Sequence, residues 1–353
     1  MSRSHSLAGM ESPLLATQGA VPAEGPDAGV AAHYGDPYAE QRTLALSAGL
    51  VDRSHRGVLR ITGQDRLSWL HSLTTQDLEH LAPGSTAEAL ILSPNGHVEH
   101  HLTLADDDTA VWLHVEPGTE TALLEFLQSM RFMLRVEPAD VTSQYAVLTL
   151  MGPDSDDRLP DGTAVAMRGT FGMDVVVERD RLRAIATELR ERGVTLAGMQ
   201  AYEALRIAAR RPRLGLDTDH RTIPHEVGWI ETAVHLSKGC YRGQETVARV
   251  HNLGHPPRRL VFLHLDGSED ELPSHGDPVT AADATVGFVG SAARHYELGP
   301  IGLALIKRTV PVDATLTAGG LAAAQEVVVP PDAGANVKIT LTRPRGLVGR
   351  RPG

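Results

Sequence analysis

The sequence predicts an α+β protein with a small antiparallel barrel or sandwich in its C-terminal part. Between residues 57 and 192, strand-like and helical runs mix without the regular strand–helix–strand rhythm of a doubly wound parallel sheet. After about residue 256, short apolar runs are separated by Gly, Pro and Asp, which is the pattern of a small all-β unit. The 353 residues suffice for two or three domains of ordinary size.

Helix and strand patterns follow one another in the N-terminal half. An amphipathic helix is predicted to begin near Pro37 and to include Leu46. Residues 57–63 have the pattern of a short strand. Residues 64–73 predict a helix, because leucines recur there at three-residue spacing, at positions 67, 70 and 73.

A β-hairpin is predicted where strand patterns over 87–92 and 98–104 flank Ser93-Pro94-Asn95-Gly96, because Asn-Gly is a strong hairpin turn signal. The other elements predicted before residue 200 are a strand over 111–115, a helix over 119–130, strands over 145–150 and 175–177, and a helix over 182–192. The apolar runs that predict strands in the C-terminal part are 261–265, Val279, 286–289, 301–306 and 337–341.

Composition excludes several classes of protein. The formal net charge of −11 argues against a broad nucleic-acid-binding surface. A single cysteine permits no internal disulfide, and no run approaches the roughly 18 apolar residues of a membrane helix. The N-terminus lacks the apolar core of a secretory signal, so a cytoplasmic location is expected. Residues 1 to about 35 are rich in Gly, Ala, Pro and Ser and are predicted to be a disordered tail.

The most unusual local sequence surrounds the single cysteine, in the segment Lys238-Gly239-Cys240-Tyr241-Arg242-Gly243-Gln244-Glu245. Lys238 and Arg242 place a cation two residues away on either side, and nearby positive charge favours the reactive thiolate. The glycines allow a sharp turn or a close approach of the backbone. The alternative, a small buried hydrophobic side chain, fits the glycine and charged neighbours less well. Because there is no second cysteine, a zinc site with four thiolates is excluded, and no metal site is predicted.

This segment resembles the K-G-C-[FY]-x-G-Q-E signature of the YgfZ family, which is related to the glycine cleavage T-protein aminomethyltransferase and to mitochondrial iron–sulfur assembly factors. The resemblance extends from about Asp52 to beyond Leu305. It includes the segments 61–65, 73–77, 222–226, 246–249 and 302–305.

The resemblance implies two interleaved α+β domains and a C-terminal antiparallel β-barrel, arranged around a central channel that holds tetrahydrofolate. The expected boundaries are 36–255 for the folate-binding region, with its second subdomain at about 145–198, and 256–345 for the barrel. The resemblance also implies a role in the maturation or repair of iron–sulfur enzymes, including those that modify tRNA. In that family the motif cysteine carries this role, which assigns it to Cys240.

Folate contacts are implied less completely. Tyr202 matches an aromatic position and is a candidate either to stack on the pterin or to pack the channel wall. Arg56 is the nearest match to a second contact, or else a solvated surface charge. A carboxylate expected to pair with the pterin edge is replaced by Ala208, which weakens the expected folate site. Two arginine groups, Arg210, Arg211 and Arg213 and the pair Arg258 and Arg259, are either solvated or a clamp for the folate glutamate tail.

The strand after the hairpin turn departs from the transferases. Their Asp pair is replaced by Glu99-His100, and the extra methylene of Glu99 displaces the carboxylate by about a bond length, where catalysis is sensitive to roughly 1 Å. His97, Glu99 and His101 alternate along this strand and should share one face. The resemblance implies that folate binds near Tyr202 and this face, which makes Glu99 and His101 candidate folate contacts. Such a triplet is either a metal site or the polar side of a strand that borders the channel, and strand alternation alone explains it.

Three functional hypotheses follow. The first is a folate-binding accessory protein for iron–sulfur enzymes that acts through Cys240, with iron–sulfur client enzymes or assembly proteins as partners. The second is a tetrahydrofolate-dependent aminomethyl or one-carbon transferase with Glu99 as the base. The third is a structural adaptor in iron–sulfur assembly that binds no folate.

Overall fold

The computed structural model describes residues 11–268 and 270–336, and these residues form two five-stranded sheets, a two-stranded sheet of Val21–Pro22 and Ala31–His33, and a closed six-stranded barrel. The helices are α1 (Pro37–Leu46), α2 (Arg66–Leu73), α3 (Glu120–Ser129), α4 (Leu182–Glu191), α5 (Met199–Ala208), α6 (Trp229–Thr232) and α7 (Gln244–Leu253). The strands are β1 (Val21–Pro22), β2 (Ala31–His33), β3 (Gly49–Asp52), β4 (Gly57–Thr62), β5 (Thr86–Leu92), β6 (Val98–Asp106), β7 (Ala110–Val115), β8 (Glu137–Asp140), β9 (Tyr145–Met151), β10 (Thr163–Gly169), β11 (Gly172–Glu178), β12 (Thr195–Ala197), β13 (Arg258–Leu265), β14 (Pro278–Ala281), β15 (Ala284–His295), β16 (Gly299–Lys307), β17 (Leu316–Ala318) and β18 (Leu321–Val327).

The first sheet has the strand order β5-β6-β7-β4-β8 and is antiparallel throughout. The predicted hairpin is confirmed as β5 and β6, which leave the 93–96 turn between them. One face of the sheet packs against α2 and α3, whose apolar side chains include the buried Trp69, Leu70 and Leu123. This face positions the C-terminal end of α2, which contacts the cysteine motif.

The second sheet has the order β10-β11-β9-β3-β12, and it interleaves with the first along the chain. Strand β3 ends at Asp52, the chain then builds the first sheet, and it returns to the second sheet at Tyr145. The last strand, β12, pairs with β3 in parallel. A chain that leaves and re-enters a sheet in this way couples the two sheets mechanically.

The C-terminal barrel closes in the order β13-β16-β15-β14-β17-β18, with antiparallel pairs throughout, which confirms the predicted fold class. Four of the five predicted strand runs lie in β13, β14, β15 and β16, and the run 337–341 lies outside the described residues. Strand β18 was not predicted, because its Ala-rich sequence has weak strand propensity. Its pairing with both β13 and β17 overrides that propensity.

Residues 11–35 correct the prediction of a disordered tail. The Ser12 hydroxyl donates a hydrogen bond to the Asp52 carboxylate, and Leu14 and Val30 are buried. Asp27 accepts a hydrogen bond at 3.0 Å from the ring of His55. Tertiary contacts with the second sheet therefore order a segment whose own sequence has no periodicity. Residues 1–10 lie outside the described part of the chain.

Arg213 lies at the junction of the N-terminal segment, the first sheet and α5. Its buried guanidinium contacts three carboxylates, those of Asp27 at 2.7 Å, Glu116 at 2.8 Å and Glu203 at 3.2 Å. Burial alone would raise the pKa of Glu116, but Arg56 and Arg213 hold that pKa well below its usual range. Glu116 therefore acts as an ionised counter-charge to these two arginines.

Arg206 extends these contacts to the barrel. Its guanidinium contacts Glu203 at 2.7 Å and Asp217 at 2.8 Å, and it donates a hydrogen bond at 2.7 Å to the hydroxyl of Ser291 in β15. The Ser291 hydroxyl in turn donates to Asp217 at 2.8 Å. Helix α5 and the barrel are thus joined by buried charge-assisted hydrogen bonds.

A third set of contacts joins the two sheets. Arg56 contacts Glu116 at 2.7 Å and His114 at 2.9 Å, His114 contacts Asp174 at 2.8 Å, and Asp174 contacts Arg53 at 3.0 Å. We call the whole set the central ion network. Its members are Asp27, Arg53, Arg56, His114, Glu116, Asp174, Glu203, Arg206, Arg213, Asp217 and Ser291.

None of the helices in the described ranges is long and apolar enough to cross a lipid bilayer.

Replacement of Glu116 by glutamine should lower the free energy of unfolding by about 3 kcal/mol, because it leaves two buried arginines short of a counter-charge. Urea titration followed by circular dichroism measures the change. The matched control is Glu125→Gln on the exposed side of α3, where we expect less than about 0.5 kcal/mol. Equal midpoints for the two variants would contradict a structural role for the network.

Candidate functional site

The cysteine motif forms a loop that packs on the tip of the β5–β6 hairpin and leads into α7. We call residues 238–245 the motif loop. Cys240 is exposed on it. Gly243 has a φ of +80°, and a Cβ at this position would lie 2.6 Å from the carbonyl oxygen of Ser93. Gly96 in the hairpin turn is equally restricted, because its Cβ would lie 2.6 Å from Thr246. The two glycines therefore permit a close backbone contact.

Lys238 anchors the other end of the motif loop. Its buried ammonium donates hydrogen bonds to the backbone carbonyl oxygens of His71, of Thr74 at 2.6 Å and of Gln76 at 3.1 Å. Burial lowers the pKa of Lys238 to about 8. An ammonium has three donors, so all of them are used on carbonyls at and beyond the C-terminal end of α2. Lys238 therefore anchors the motif loop to the end of α2.

Arg242 also contacts residues outside the motif loop. Its guanidinium forms an ion pair with Glu99 at 3.0 Å and lies 5.4 Å from the centre of the Phe126 ring of α3. Both partners belong to the first sheet and its helical layer. Glu99, a candidate folate contact and candidate base, therefore lies beside the motif loop and is paired with its arginine.

A β-bulge in β6 separates the three polar side chains that were predicted to share a face. Ile91 pairs with His100, but Leu92 pairs with Val98, so Glu99 is the extra residue. A bulge shifts the alternation of side chains by one residue. Glu99 is consequently exposed and His100 is buried, with its pKa lowered by burial to about 4.

His101 lies apart from Glu99, beside the apolar cluster that the first sheet shares with the barrel and that contains Trp229. Its ring stacks on Trp229 at 4.6 Å and contacts Glu88 at 3.2 Å. Glu88 also accepts a hydrogen bond at 2.5 Å from Arg211. Within residues 11–268 and 270–336, no group of three or more His, Cys, Asp or Glu side chains is arranged to hold a metal ion.

The remaining candidate folate residues are distributed over separate environments. Tyr202 is buried, with the guanidinium of Arg53 4.6 Å from its ring centre and Phe171 in edge contact at 5.4 Å. Arg56 belongs to the central ion network, so its interpretation as a solvated charge is wrong. Ala208 is half-buried against the cluster that contains Trp229.

Arg259 is fully buried in the barrel. It donates hydrogen bonds to the carbonyl oxygen of Val310 at 3.1 Å and to the side chain of Gln325 at 2.8 Å. These contacts correct both interpretations of Arg259, because it is neither solvated nor placed with Tyr202 and His101. Its neighbour Arg258 is held by Asp219 and Glu226.

A cavity of about 600 Å³ lies between the N-terminal segment, α1, α5 and the barrel. Its polar lining includes Asp27, Gln41, Glu203 and Ser291. Sequence reasoning missed this cavity, because Asp27 lies in the segment that was predicted to be disordered. None of the candidate folate residues lines it.

Two models of known protein families match parts of this chain. The family model described as the GCVT N-terminal domain matches residues 32–171, and the model described as the glycine cleavage T-protein C-terminal barrel domain matches residues 258–345. Together the two matches span more than half of the chain.

Among similar sequences are two proteins named aminomethyltransferase. The protein from Symbiobacterium thermophilum is 26% identical over 293 residues, covering 72% of this chain and 77% of the relative. The protein from Rubrobacter xylanophilus is 28% identical over 301 residues, covering 77% and 80%. The crystal structure of glycine cleavage system aminomethyltransferase T from Bartonella henselae superposes with a TM-score of 0.77 at 17% identity, covering 90% of this chain and 96% of that one. At this identity the structural likeness shows the fold.

Alanine substitutions at Gly243 and Gly239 distinguish a glycine that close packing requires from one that only makes the motif loop flexible. Gly243→Ala should destabilise the protein by about 2 kcal/mol, because the new Cβ meets Ser93 and the positive φ is strained. Gly239→Ala is the matched control, since a Cβ there meets nothing within 4 Å. Urea unfolding measures both variants. An unperturbed Gly243→Ala protein would show that the motif loop is not packed on the hairpin.

Proposed function

We propose that this chain, which belongs to the GcvT-like family, is an accessory protein that supports iron–sulfur enzymes through the thiol of Cys240. The observation that carries the proposal is an exposed thiol on a loop that is anchored at both ends, by Lys238 on α2 and by Gly243 on the hairpin. The iron–sulfur role itself comes from the resemblance of the motif to the YgfZ signature. The expected partners are iron–sulfur client enzymes in the cytoplasm, including those that modify tRNA.

An exposed single thiol suits action on a partner. Within this chain Cys240 has no second cysteine with which to form a disulfide or a multi-thiolate metal site. As a thiolate it can supply one ligand to iron in a site shared with another protein. The anchored loop fixes where that ligand is presented, which reduces the entropy that is lost when a partner binds.

The alternative, an aminomethyltransferase, is favoured by the names of the similar sequences. The Asp pair of the transferases corresponds here to Glu99 and His100. Glu99 is paired with Arg242, and His100 is buried with a lowered pKa. Neither position offers a free carboxylate next to a cavity, so the arrangement favours the accessory function.

Tetrahydrofolate is the cofactor that the resemblance implies, and the residues implied as its contacts do not form one site. The Tyr202 ring is covered by Arg53, Arg56 is saturated by Glu116 and His114, and Glu99 and Arg259 lie elsewhere. His101 is left, stacked on Trp229, and Ala208 stands in place of the carboxylate and packs against the cluster that contains Trp229. We therefore propose that folate binds weakly, and no step of the proposed function depends on it.

Loss of the thiol should abolish the function without unfolding the protein. In cells that lack the native protein, we expect Cys240→Ala to fail to restore the activity of iron–sulfur enzymes, with aconitase as the reporter. The neighbouring exposed Ser237→Ala is the control and should restore activity fully. Full complementation by Cys240→Ala, at equal protein level, would refute the proposed function.

Restoration of the missing carboxylate should strengthen folate binding. Ala208→Glu should bind tetrahydrofolate about ten- to a hundredfold more tightly than the unmodified protein, because a hydrogen bond to a charged group is worth roughly 1.5–3 kcal/mol. Isothermal titration calorimetry measures both proteins, with the exposed Ala209→Glu as the control. Micromolar binding by the unmodified protein, unchanged in Ala208→Glu, would show that this chain binds folate through other residues.

A further inference from the structure

The turn that follows α3 exposes three large apolar side chains in succession. Phe132 is 81% exposed, Met133 is 99% exposed and Leu134 is 42% exposed, and Arg131 and Arg135 flank them. We call residues 131–135 the apolar turn. Single exposed apolar residues are ordinary, but a contiguous group at the tip of a turn is typical of an interaction site.

The framework of the protein holds this turn outward. The amide of Leu134 donates to the carbonyl of Arg131 at 3.1 Å, which closes the turn, and Phe132 has a φ of +45°, a conformation that bulky residues rarely adopt. Arg135 binds Asp65 through its side chain at 2.8 Å and through its amide at 2.9 Å. The exposed tip is therefore built on an ordered base, and the strain at Phe132 is maintained by its surroundings.

The apolar turn and the motif loop border the same two helices. Asp65, which holds Arg135, precedes α2, and the carbonyls that hold Lys238 lie at its other end. An eight-residue helix is roughly 12 Å long, so one partner surface can span both features. Helix α3 gives a second link, because Arg242 lies on Phe126, about one turn before Met130.

We propose that the apolar turn is the docking contact for the iron–sulfur protein that Cys240 serves, and that this protein has an apolar pocket bordered by carboxylates. The inference rests on the proposed function. Phe132 and Met133 supply the apolar contact, as aromatic anchors do in interface centres. Arg131 makes no ion pair within the described residues, whereas Arg135 is neutralised by Asp65. Arg131 thus provides one cation for an acidic partner.

The small size of the apolar turn favours a protein partner over a lipid surface. A turn of three apolar side chains provides only a small area for membrane insertion. A pocket on a protein can enclose the same three side chains and exclude water from them.

The test replaces the tip in the full chain. Phe132→Asn combined with Met133→Ser removes the apolar contact, and asparagine tolerates the positive φ. The matched control is Leu298→Ser combined with Val312→Ser, which removes two side chains that are 46% and 48% exposed on the barrel. In cells that lack the native protein, we expect the first double variant to restore less than a fifth of the aconitase activity that the control restores.

Measurements on the purified proteins separate docking from other causes. The tip variant should keep the melting temperature and the iodoacetamide reaction rate of Cys240, and Arg131→Glu should impair complementation more than Arg131→Lys. Full complementation by the tip variant, while Cys240→Ala fails, would overturn the docking proposal alone. Full complementation by Cys240→Ala would overturn the proposed function as well.

Two further outcomes assign the turn to a different occupant and overturn the proposal. One is binding to phosphatidylglycerol vesicles that the tip variant loses. The other is a dimer in sedimentation velocity that the tip variant loses.

Discussion

The contacts of Arg213 are the constraint on which the arrangement of the N-terminal segment, the first sheet and α5 depends. One buried guanidinium joins the N-terminal segment through Asp27, the first sheet through Glu116 and α5 through Glu203. A buried charge that loses its partners is strongly unfavourable, so these elements can occupy few alternative positions. The central ion network therefore specifies geometry, although buried ion pairs are weak evidence for net stability. Two carboxylates of the central ion network, those of Asp27 and Glu203, also line the neighbouring cavity.

The charged side chains of the motif loop also hold structural elements together. Lys238 satisfies carbonyls at the end of α2, and Arg242 pairs with Glu99. The cations that flank the cysteine in sequence are thus turned toward the framework, and the thiol is left exposed on a fixed loop. Such an arrangement favours presentation of the thiol to a partner over chemistry in a closed pocket.

The different contacts of Glu99, His100 and His101 in this GcvT-like chain have a structural cause. The bulge at Glu99 turns the polar side chains of β6 in different directions, and Trp229 stacks on His101 where the first sheet meets the barrel. The fold shared with the aminomethyltransferase from Bartonella henselae is retained, while Glu99 is used in an ion pair and His101 in packing. A fold of this kind can support different chemistries, which depend on the residues at the site.

Local sequence determined the elements that rest on local physics. The helix at Pro37, the hairpin around Asn95-Gly96 and the barrel strands with strong apolar runs follow from capping, turn preference and alternation, and the structure contains them. The unusual composition around Cys240 likewise identified the loop that the structure exposes.

Tertiary structure decided what depends on distant partners. The order of residues 11–35 comes from contacts with Asp52, His55 and Arg213, which no local pattern encodes. The bulge at Glu99 is a property of strand pairing, and the burial of Arg259 follows from barrel closure. Charged side chains were hardest to place from sequence, because an arginine on a surface and an arginine in a buried network have the same local signature and differ only in the carboxylates that the fold brings to them.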